Sequence, residues 1–212
     1  QGEGRYVTIR GIDAALSNVT IDGQIIGSPE GNTRRVALDT VPANILSKLE
    51  VVKSATPDLD GNAIGGTINL ITPTVFDDPD GRFFSATADY GYYDLGGQNP
   101  WGGSVGWGSI FNERFGIVLS ASYSDREFNS HNVQGGDPWV EDEEAGQLLP
   151  DEFTMRDYLI RRVRKGFVAN FEFRPNDDLK LHWRNLYNRY EDTELQPEVT
   201  LVHDDGRAYL TR

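Results

Sequence analysis

The residues of this sequence that could support chemistry match known catalytic motifs only in part. Gly102–Gly106 fits the G-x-S-x-G pattern, but that pattern needs a strand-to-helix turn, and here it opens a glycine-rich strand. Gly61–Gly66 has the spacing of a phosphate-binding loop, but Thr67 stands where lysine is required. Asp58–Asn62 begins like a calcium loop, yet Ala63 replaces the glycine of its sixth position. None of the three motifs is complete.

The sequence gives little support for metal or thiol chemistry. His131, His182 and His203 are scattered without ligand spacing. The chain has no cysteine, which excludes disulfides, cysteine-ligated zinc and thiol nucleophiles. We therefore predict that the protein is not an enzyme, holds no metal and needs no cofactor.

Composition narrows the class further. The net charge of −13 argues against a nucleic-acid partner, because a phosphate backbone would repel this chain. The 23 glycines and the many aromatic residues suit β-structure with tight turns. We find no apolar run of the 18 or so residues that a membrane helix needs, but transmembrane strands leave no such run.

Residues after about 81 predict long strands that alternate between apolar and polar faces. Phe115, Ile117 and Leu119 share one face, and Phe167 and Phe171 share another. Such alternation is typical of a transmembrane barrel, but also of a soluble sheet with one face on a core. The predicted strands are 82–92, 103–111, 114–126, 159–174 and 179–192.

The lengths of the connections favour the barrel. Long joints at about 94–102 and 129–158 alternate with short ones at 112–113 and 176–178. Periplasmic turns are short and outer loops long in such barrels, whereas a loop near thirty residues is unusual in a compact domain. A sixth strand is expected from Arg207 to Arg212.

The first 74 residues predict a mixed α+β segment. Strands are expected at 6–10, 19–23, 49–53 and 66–72. Asp39–Lys48 has a capping residue, an early proline and apolar spacing, which predict a short helix. The acidic, turn-forming residues 76–81 separate this segment from the alternating strands.

Five short motifs in this segment occur in an order that resembles the plug of TonB-dependent outer-membrane receptors. They are I-R-G at Ile9–Gly11, I-D-G at Ile21–Gly23, L-D-T-V-P at Leu38–Pro42, E-V-V-K at Glu50–Lys53 and G-G-T-I-N-L-I-T at Gly65–Thr72. The resemblance implies that the chain is part of a longer receptor, namely the later part of the plug and the first barrel strands. The fold class is then mainly β, an α+β plug followed by five to six antiparallel strands of a 22-stranded transmembrane barrel.

The resemblance also implies domains and function. The plug would occupy 1–74, a linker 75–81 and barrel strands 82–212. The activity would be active uptake of a scarce ligand, a carbohydrate or a siderophore–metal chelate, across the bacterial outer membrane. The partners would be that ligand, outer-membrane lipid and the inner-membrane TonB complex, which acts through an N-terminal box absent from this sequence. The alternative is a soluble or surface-exposed β-rich module, such as an adhesin or a carbohydrate-binding module.

Candidate site residues follow from position within the resembled plug. Two plug loops should point outward to the ligand, and two tryptophans of outer loops could stack on sugars or anchor the loops. These candidates are Gln1, Glu3, Arg5, Ser28, Glu30, Asn32 and Arg34, with Trp101 and Trp139. Arg10 matches a plug arginine that makes an ionic contact with the barrel, with partners expected beyond residue 212.

One departure from the family pattern suggests a branch. Many plugs carry R-G-P before the double glycine, whereas Lys53–Gly61 occupies that place here. This version looks like the branch often linked to carbohydrate uptake, and it removes an arginine of the plug–barrel cluster.

Overall fold

A computed structural model describes residues 4–28, 30–54, 60–136, 139–142, 147–204 and 207–211. These residues are mainly strand, with four short 3-10 turns and no α-helix among them. The strands are β1 Ser17–Ile21, β2 Gln24–Ile25, β3 Lys48–Val52, β4 Gly66–Ile71, β5 Arg82–Tyr90, β6 Trp101–Phe111, β7 Phe115–Gly135, β8 Trp139–Asp142, β9 Gln147–Pro150, β10 Glu152–Asn176, β11 Leu179–Leu195, β12 Glu198–Asp204 and β13 Arg207–Thr211. The 3-10 turns are Ala14–Leu16, Leu38–Thr40, Ala43–Ile45 and Val75–Asp77. No helix in the described part is long and apolar enough to cross a membrane.

The chain divides into two compact units. The first comprises residues 1–89, 101–124 and 163–191, and the second comprises 90–100, 125–162 and 192–212. The first unit therefore contains the whole opening segment together with stretches of β6, β7, β10 and β11.

A four-stranded sheet organises the opening segment of the first unit, in the order β2-β1-β4-β3. β1 pairs parallel to β4, with Ser17 opposite Gly66, and β3 pairs antiparallel to β4. Gly66 has a φ of +135°, and a Cβ there would lie 2.6 Å from the carbonyl oxygen of Val52. Only glycine lets β4 begin so close to the end of β3.

The core of the first unit joins this sheet to the later strands. Buried side chains come from the opening segment, from Ile9 to Leu70, and Val168 of β10 packs among them. Leu186 of β11 packs against the same cluster. The buried members are Ile9, Val19, Val36, Val41, Ile45, Ile68, Leu70 and Val168. The opening segment thus uses part of β10 and β11 as one wall of its core.

The larger sheet has the order β13-β12-β10-β7-β6-β5, and β11 also pairs with β10. Asn112 and Glu113 both have positive φ, as a two-residue turn between β6 and β7 requires. This turn and the short turn between β10 and β11 confirm the two short connections predicted from sequence. Residues 207–211 form β13, as expected, and residue 212 lies outside the described residues.

The faces of the strands are inverted relative to those of a soluble sheet. On β10, Arg162 and Arg164 are 1% and 8% exposed, whereas Phe167 is 45% exposed. On β7, Ser120 is buried, whereas Phe115 and Leu119 are more than a third exposed. The buried arginines and Ser120 therefore share the protected face with small aliphatic residues such as Val168, whereas the phenylalanines and Leu119 occupy the open face.

Within the second unit, buried charges are held by aromatic rings. The Arg162 guanidinium lies 5.5 Å from the Phe128 ring and 3.3 Å from an Asp192 carboxylate oxygen. Arg126 also lies over Phe128 and donates a 2.6 Å hydrogen bond to the Tyr93 hydroxyl. These contacts tie the 90–100 turn to β7 and stabilise the buried arginine.

Two predictions for the opening segment are wrong. Residues 6–10 do not form a strand, because Arg10 and Gly11 both take positive φ and turn the chain between the bridged residues Ile9 and Ile12. Residues 39–48 do not form a helix. Pro42 lacks an N–H and disfavours α conformation in the preceding residue, so the stretch breaks into two 3-10 turns, Leu38–Thr40 and Ala43–Ile45. The α+β description is therefore corrected to β with 3-10 turns.

The long joint predicted at 129–158 is also wrong. β7 continues to Gly135, β10 begins at Glu152, and the hairpin β8–β9 pairs Trp139 with Pro150 between them. Around residues 129–132 and 156–157 both faces of the strands are polar, so hydrophobic alternation stops there while backbone pairing continues. The first joint starts earlier than predicted and is about as long, because β5 ends at Tyr90 and β6 begins at Trp101.

Candidate functional site

Two stretches predicted to approach the ligand meet in the first unit. The Arg5 guanidinium lies 3.2 Å from a Glu30 carboxylate oxygen, and the Tyr6 hydroxyl donates a 2.7 Å hydrogen bond to the same carboxylate. The backbone N–H of Leu38 donates to the Arg5 carbonyl at 2.8 Å. The residues around 5, 30 and 38 therefore form one connected surface.

Asp39 is the buried centre of this surface. Its side chain is 4% exposed and pairs with Arg5 at 3.4 Å and with Arg164 of β10 at 3.8 Å. Arg164 Nε also donates a hydrogen bond to the Asp39 carbonyl, and Asn188 of β11 donates a 2.9 Å hydrogen bond to the Thr40 carbonyl. We call Arg5, Glu30, Asp39, Arg164 and Asn188 the Asp39 cluster. It fastens the 38–40 turn to two strands of the larger sheet.

Neighbouring charges shift two pKa values at this surface. Burial disfavours the charge of Arg5, but Asp39 together with Tyr6, Tyr190 and Glu30 outweighs it and leaves the pKa of Arg5 raised. The hydrogen bond that Tyr6 donates to Glu30 raises the pKa of the Tyr6 phenol, since a phenolate could not donate it. Both effects favour the cluster at neutral pH.

A second polar network fastens the end of β4. The Asp22 carboxylate accepts hydrogen bonds from the Thr72 N–H and hydroxyl at 3.0 and 2.6 Å, and pairs with Arg184 at 2.8 Å. Asn170 donates a 2.8 Å hydrogen bond to the Thr72 hydroxyl, and Thr74 donates one of 2.7 Å to Glu172. We call these residues the Asp22 network. It binds the residues after β4 to the protected face of β10 and β11.

A family model matches the segment that contains Asp22 and Asp39. Residues 1–67 match the family model of the TonB-dependent receptor plug domain. The opening segment is a TonB-dependent receptor plug. No curated protein matches the chain. The plug family gates TonB-dependent transport in the bacterial outer membrane, and it is a transporter family rather than an enzyme family.

The structure brings together some of the ligand candidates predicted on the plug. Arg5 and Glu30 are in contact, and the Ser28 hydroxyl accepts a 3.1 Å hydrogen bond from the Glu30 N–H. Asn32 and Arg34 are exposed, and Asn32 has a φ of +63°. Gln1 and Glu3 lie outside the described residues. Arg5, Ser28 and Glu30 thus form one group, with Asn32 and Arg34 on the open part of the same plug loop.

Arg10 is exposed in the turn after Ile9 and makes no ion pair with another residue that the structure describes. Its predicted barrel contact, with partners beyond residue 212, stays a prediction. Within this chain, the ionic contact between plug and later strands is made instead by Asp39 with Arg164 and by Asp22 with Arg184.

The two tryptophan candidates lie in strands rather than loops, which corrects their predicted setting. Trp101 begins β6 and packs its ring 4.8 Å from that of Tyr123 on β7. Trp139 begins β8 and is 60% exposed. A sugar could reach the Trp139 ring, whereas Trp101 is already engaged with Tyr123 on the open face of the sheet.

Sequence reasoning missed the most buried members of the site. Alternation along β10 places Arg164, Asn170 and Glu172 on the face opposite Phe167 and Phe171, but it does not identify their partners. Asp22 and Asp39 lie inside motifs that carried the family resemblance. The signal available in the sequence was a strand that carries charged residues on the face opposite its phenylalanines. Such charges need partners when they are buried, so this face indicated contacts with another segment. Among the described residues, no three His, Cys, Asp or Glu side chains converge as a metal site.

Proposed function

We propose that this chain is the later part of the plug, at 1–74, joined by residues 75–81 to the first strands, 82–212, of a transmembrane β-barrel. In this proposal the protein takes up a scarce ligand across the outer membrane, and the TonB complex drives the plug to open the barrel. The rest of the barrel and the N-terminal box belong to the same longer receptor.

The inverted faces of the larger sheet carry this proposal. Phe115, Leu119 and Phe167 are 36–45% exposed, while Arg162 and Arg164 are almost fully buried. Burying arginines while exposing phenylalanines is unfavourable in water. It is favourable when the open face meets lipid and the protected face meets a polar plug.

Plug contacts on the protected face support a lumenal position for the plug. Both the Asp39 cluster and the Asp22 network reach β10 or β11 from that side. Val168 and Leu186 also pack into the plug core from it. A barrel needs about 22 strands to enclose a folded domain of this kind, so we propose that size.

The strand order supports a barrel wall rather than a sandwich. Successive strands are neighbours, from β5 to β13, apart from the β8–β9 hairpin and the division of one strand into β11 and β12. β6 has 11 residues and β11 has 17, and a tilted transmembrane strand needs about 9–11. Both of these strands are therefore long enough to cross.

For the cargo we propose a carbohydrate, with a siderophore chelate as the second class. Arg5, Ser28 and Glu30 supply a hydrogen-bonding surface that suits hydroxyl groups. The Lys53–Gly61 departure points to the carbohydrate branch, although residues 55–59 lie outside the described residues. The adhesin or soluble-module alternative would need Phe115, Leu119 and Phe167 packed in a closed core, and their exposure stands against it.

Uptake by the full-length receptor tests the proposal. Radiolabelled oligosaccharides and ferric siderophores are offered to cells that produce the receptor, with and without a functional TonB complex. We expect energy-dependent uptake of one class, lost without TonB, and loss of that uptake when Glu30→Ala is introduced. Lys48→Ala serves as a control for a charge change elsewhere on the plug, because Lys48 is an exposed cation of β3 outside the candidate ligand loops. Surface binding that persists without TonB and is never followed by uptake would support the adhesin alternative.

A further inference from the structure

A row of aromatic and basic side chains crosses four neighbouring strands on the open face. Trp101 of β6 packs against Tyr123 of β7, and Lys165 Nζ of β10 lies 6.0 Å from the centre of the Tyr123 ring. On the fourth strand, β11, stands Arg189, which is 59% exposed. The chain therefore places two rings and two cations side by side.

The pairing of β10 with β11 puts the two cations opposite each other. The Phe171 ring stacks on Trp183 at 5.3 Å, and Arg164 lies over the Tyr190 ring at 5.4 Å. Both pairs follow one antiparallel register, and the same register places Lys165 opposite Arg189. Directly opposed residues on one face have Cβ atoms about 5 Å apart, and like charges there destabilise a sheet.

The charge balance of this pair favours an added anion. Arg189 bonds to Glu191 at 2.6 Å, which supplies one carboxylate for two cations. Among the described residues, Lys165 contacts the Tyr123 ring rather than an acidic side chain. An anionic group between Lys165 and Arg189 would relieve their repulsion.

Position along the strands identifies the source of that anion. Two residues further along β10 from Lys165 the open face becomes apolar, beginning with Phe167, and on β11 Tyr187 stands two residues before Arg189. Cations and aromatic rings at the edge of an apolar band sit at the level of lipid headgroups. A headgroup phosphate at the cations would leave its acyl chains along the apolar band.

We propose that Lys165 and Arg189, flanked by Trp101 and Tyr123, bind the phosphate of an anionic lipid headgroup in the outer membrane. The proposal rests on the lipid-facing orientation put forward above. It gives this face a specific lipid partner in addition to a general preference for membrane.

Native mass spectrometry of the full-length receptor tests the site. Lipid A, phosphatidylglycerol or phosphatidylcholine is titrated onto the purified protein, and retained lipid is counted. We expect the two anionic lipids to be retained over phosphatidylcholine. Each of Lys165→Gln and Arg189→Gln should weaken retention about fivefold, and the double variant roughly 25-fold. Lys165→Arg should keep retention, which separates charge from folding.

Controls separate the possible outcomes. Lys180→Gln removes an exposed cation elsewhere on β11 and should leave retention unchanged. Equal retention in the double variant and the wild type would overturn the site, and so would an equal loss in Lys180→Gln. Full competition by inorganic phosphate would show a free-anion site and also overturn the lipid assignment.

A fluorescence measurement distinguishes failure of this site from failure of the proposed function. Brominated lipids should quench the emission of Trp183, isolated as the difference from a Trp183→Phe variant. Quenching without selective lipid retention leaves the membrane orientation intact and removes only the headgroup site. Absence of quenching would remove the orientation, and the site with it.

Discussion

Breaking the ion pair between Asp39 and Arg164 should loosen one defined part of the plug. Asp39 is 4% exposed and Arg164 is 9% exposed at the side chain, so their pair is shielded from water. Removing one partner of a buried pair costs about 3–5 kcal/mol, because the other charge stays buried without full compensation. In Arg164→Met, Arg5 remains beside Asp39, so we take the lower end, about 3 kcal/mol.

Hydrogen exchange measures this effect in the full-length receptor. The amides of Val41, Ile45 and Leu46 are hydrogen-bonded within the two 3-10 turns of residues 38–45. A loss of about 3 kcal/mol corresponds to roughly a hundredfold faster exchange of these amides through local opening. The effect should centre on the peptide covering residues 38–46, whereas the residues of β4 held by the Asp22 network should keep their protection.

A matched variant lies three residues earlier on the same strand. Arg161 pairs with Asp125 at 2.7 Å, but its side chain is 56% exposed. Exposed pairs contribute about 0–1 kcal/mol, so Arg161→Met should leave exchange at 38–46 unchanged. The combination of Asp39→Asn with Arg164→Met should cost less than the sum of the single changes. Strict additivity, or equal effects of Arg161→Met and Arg164→Met, would refute the reasoning.

Three further predictions test other parts of the structure. Phe171 lies deeper in the apolar band that begins at Phe167, so Phe171→Arg should cost about 2–4 kcal/mol near the membrane centre, and folded receptor in outer-membrane fractions should fall relative to Phe171→Leu; undiminished folded receptor would argue against a lipid-facing strand. Gly66→Ala should lower the free energy of unfolding of the plug, measured by urea titration, by more than about 1 kcal/mol, because a Cβ would meet the Val52 carbonyl oxygen at 2.6 Å. Gly27→Ala, which has open space, should be nearly neutral, and similar unfolding free energies for the two variants would contradict the strained geometry. The hydrogen bond to Glu30 raises the pKa of Tyr6, so the bond's contribution to stability is complete below the ordinary phenol pKa and is lost as pH rises through the raised value. An alkaline absorbance titration, taken as the difference from Tyr6→Phe, should move to lower pH in Glu30→Gln. A titration curve that does not move would contradict the hydrogen bond.

The strands of the second half were predictable because each has one protected face. Alternation of Phe115, Ile117 and Leu119 with small or polar residues follows from the period of a strand, whatever lies on either side. The ends of β7 and β10 were not predictable in the same way. Near His131 and Asp157 both faces are polar, so pairing continues without a hydrophobic pattern.

The site was predictable only where local sequence determines it. Arg5 and Glu30 were found because they lie in loops whose position the plug motifs fix. Asp39 and Arg164 are separated by 125 positions, and no local pattern links them. The misread helix at 39–48 shows the same limit, because its capping and spacing signals were real but Pro42 divided the stretch.

Pairing of β4 has a consequence for how the receptor is made. β4 lies between β1 and β3, so β1 is paired only with the two-residue β2, and β3 has no partner in this sheet, until residues 66–71 have left the ribosome and reached the periplasm. The residues that follow at once, Thr72 and Thr74, are those that attach to β10. Completion of the plug sheet and its attachment to the wall therefore depend on one short stretch of chain.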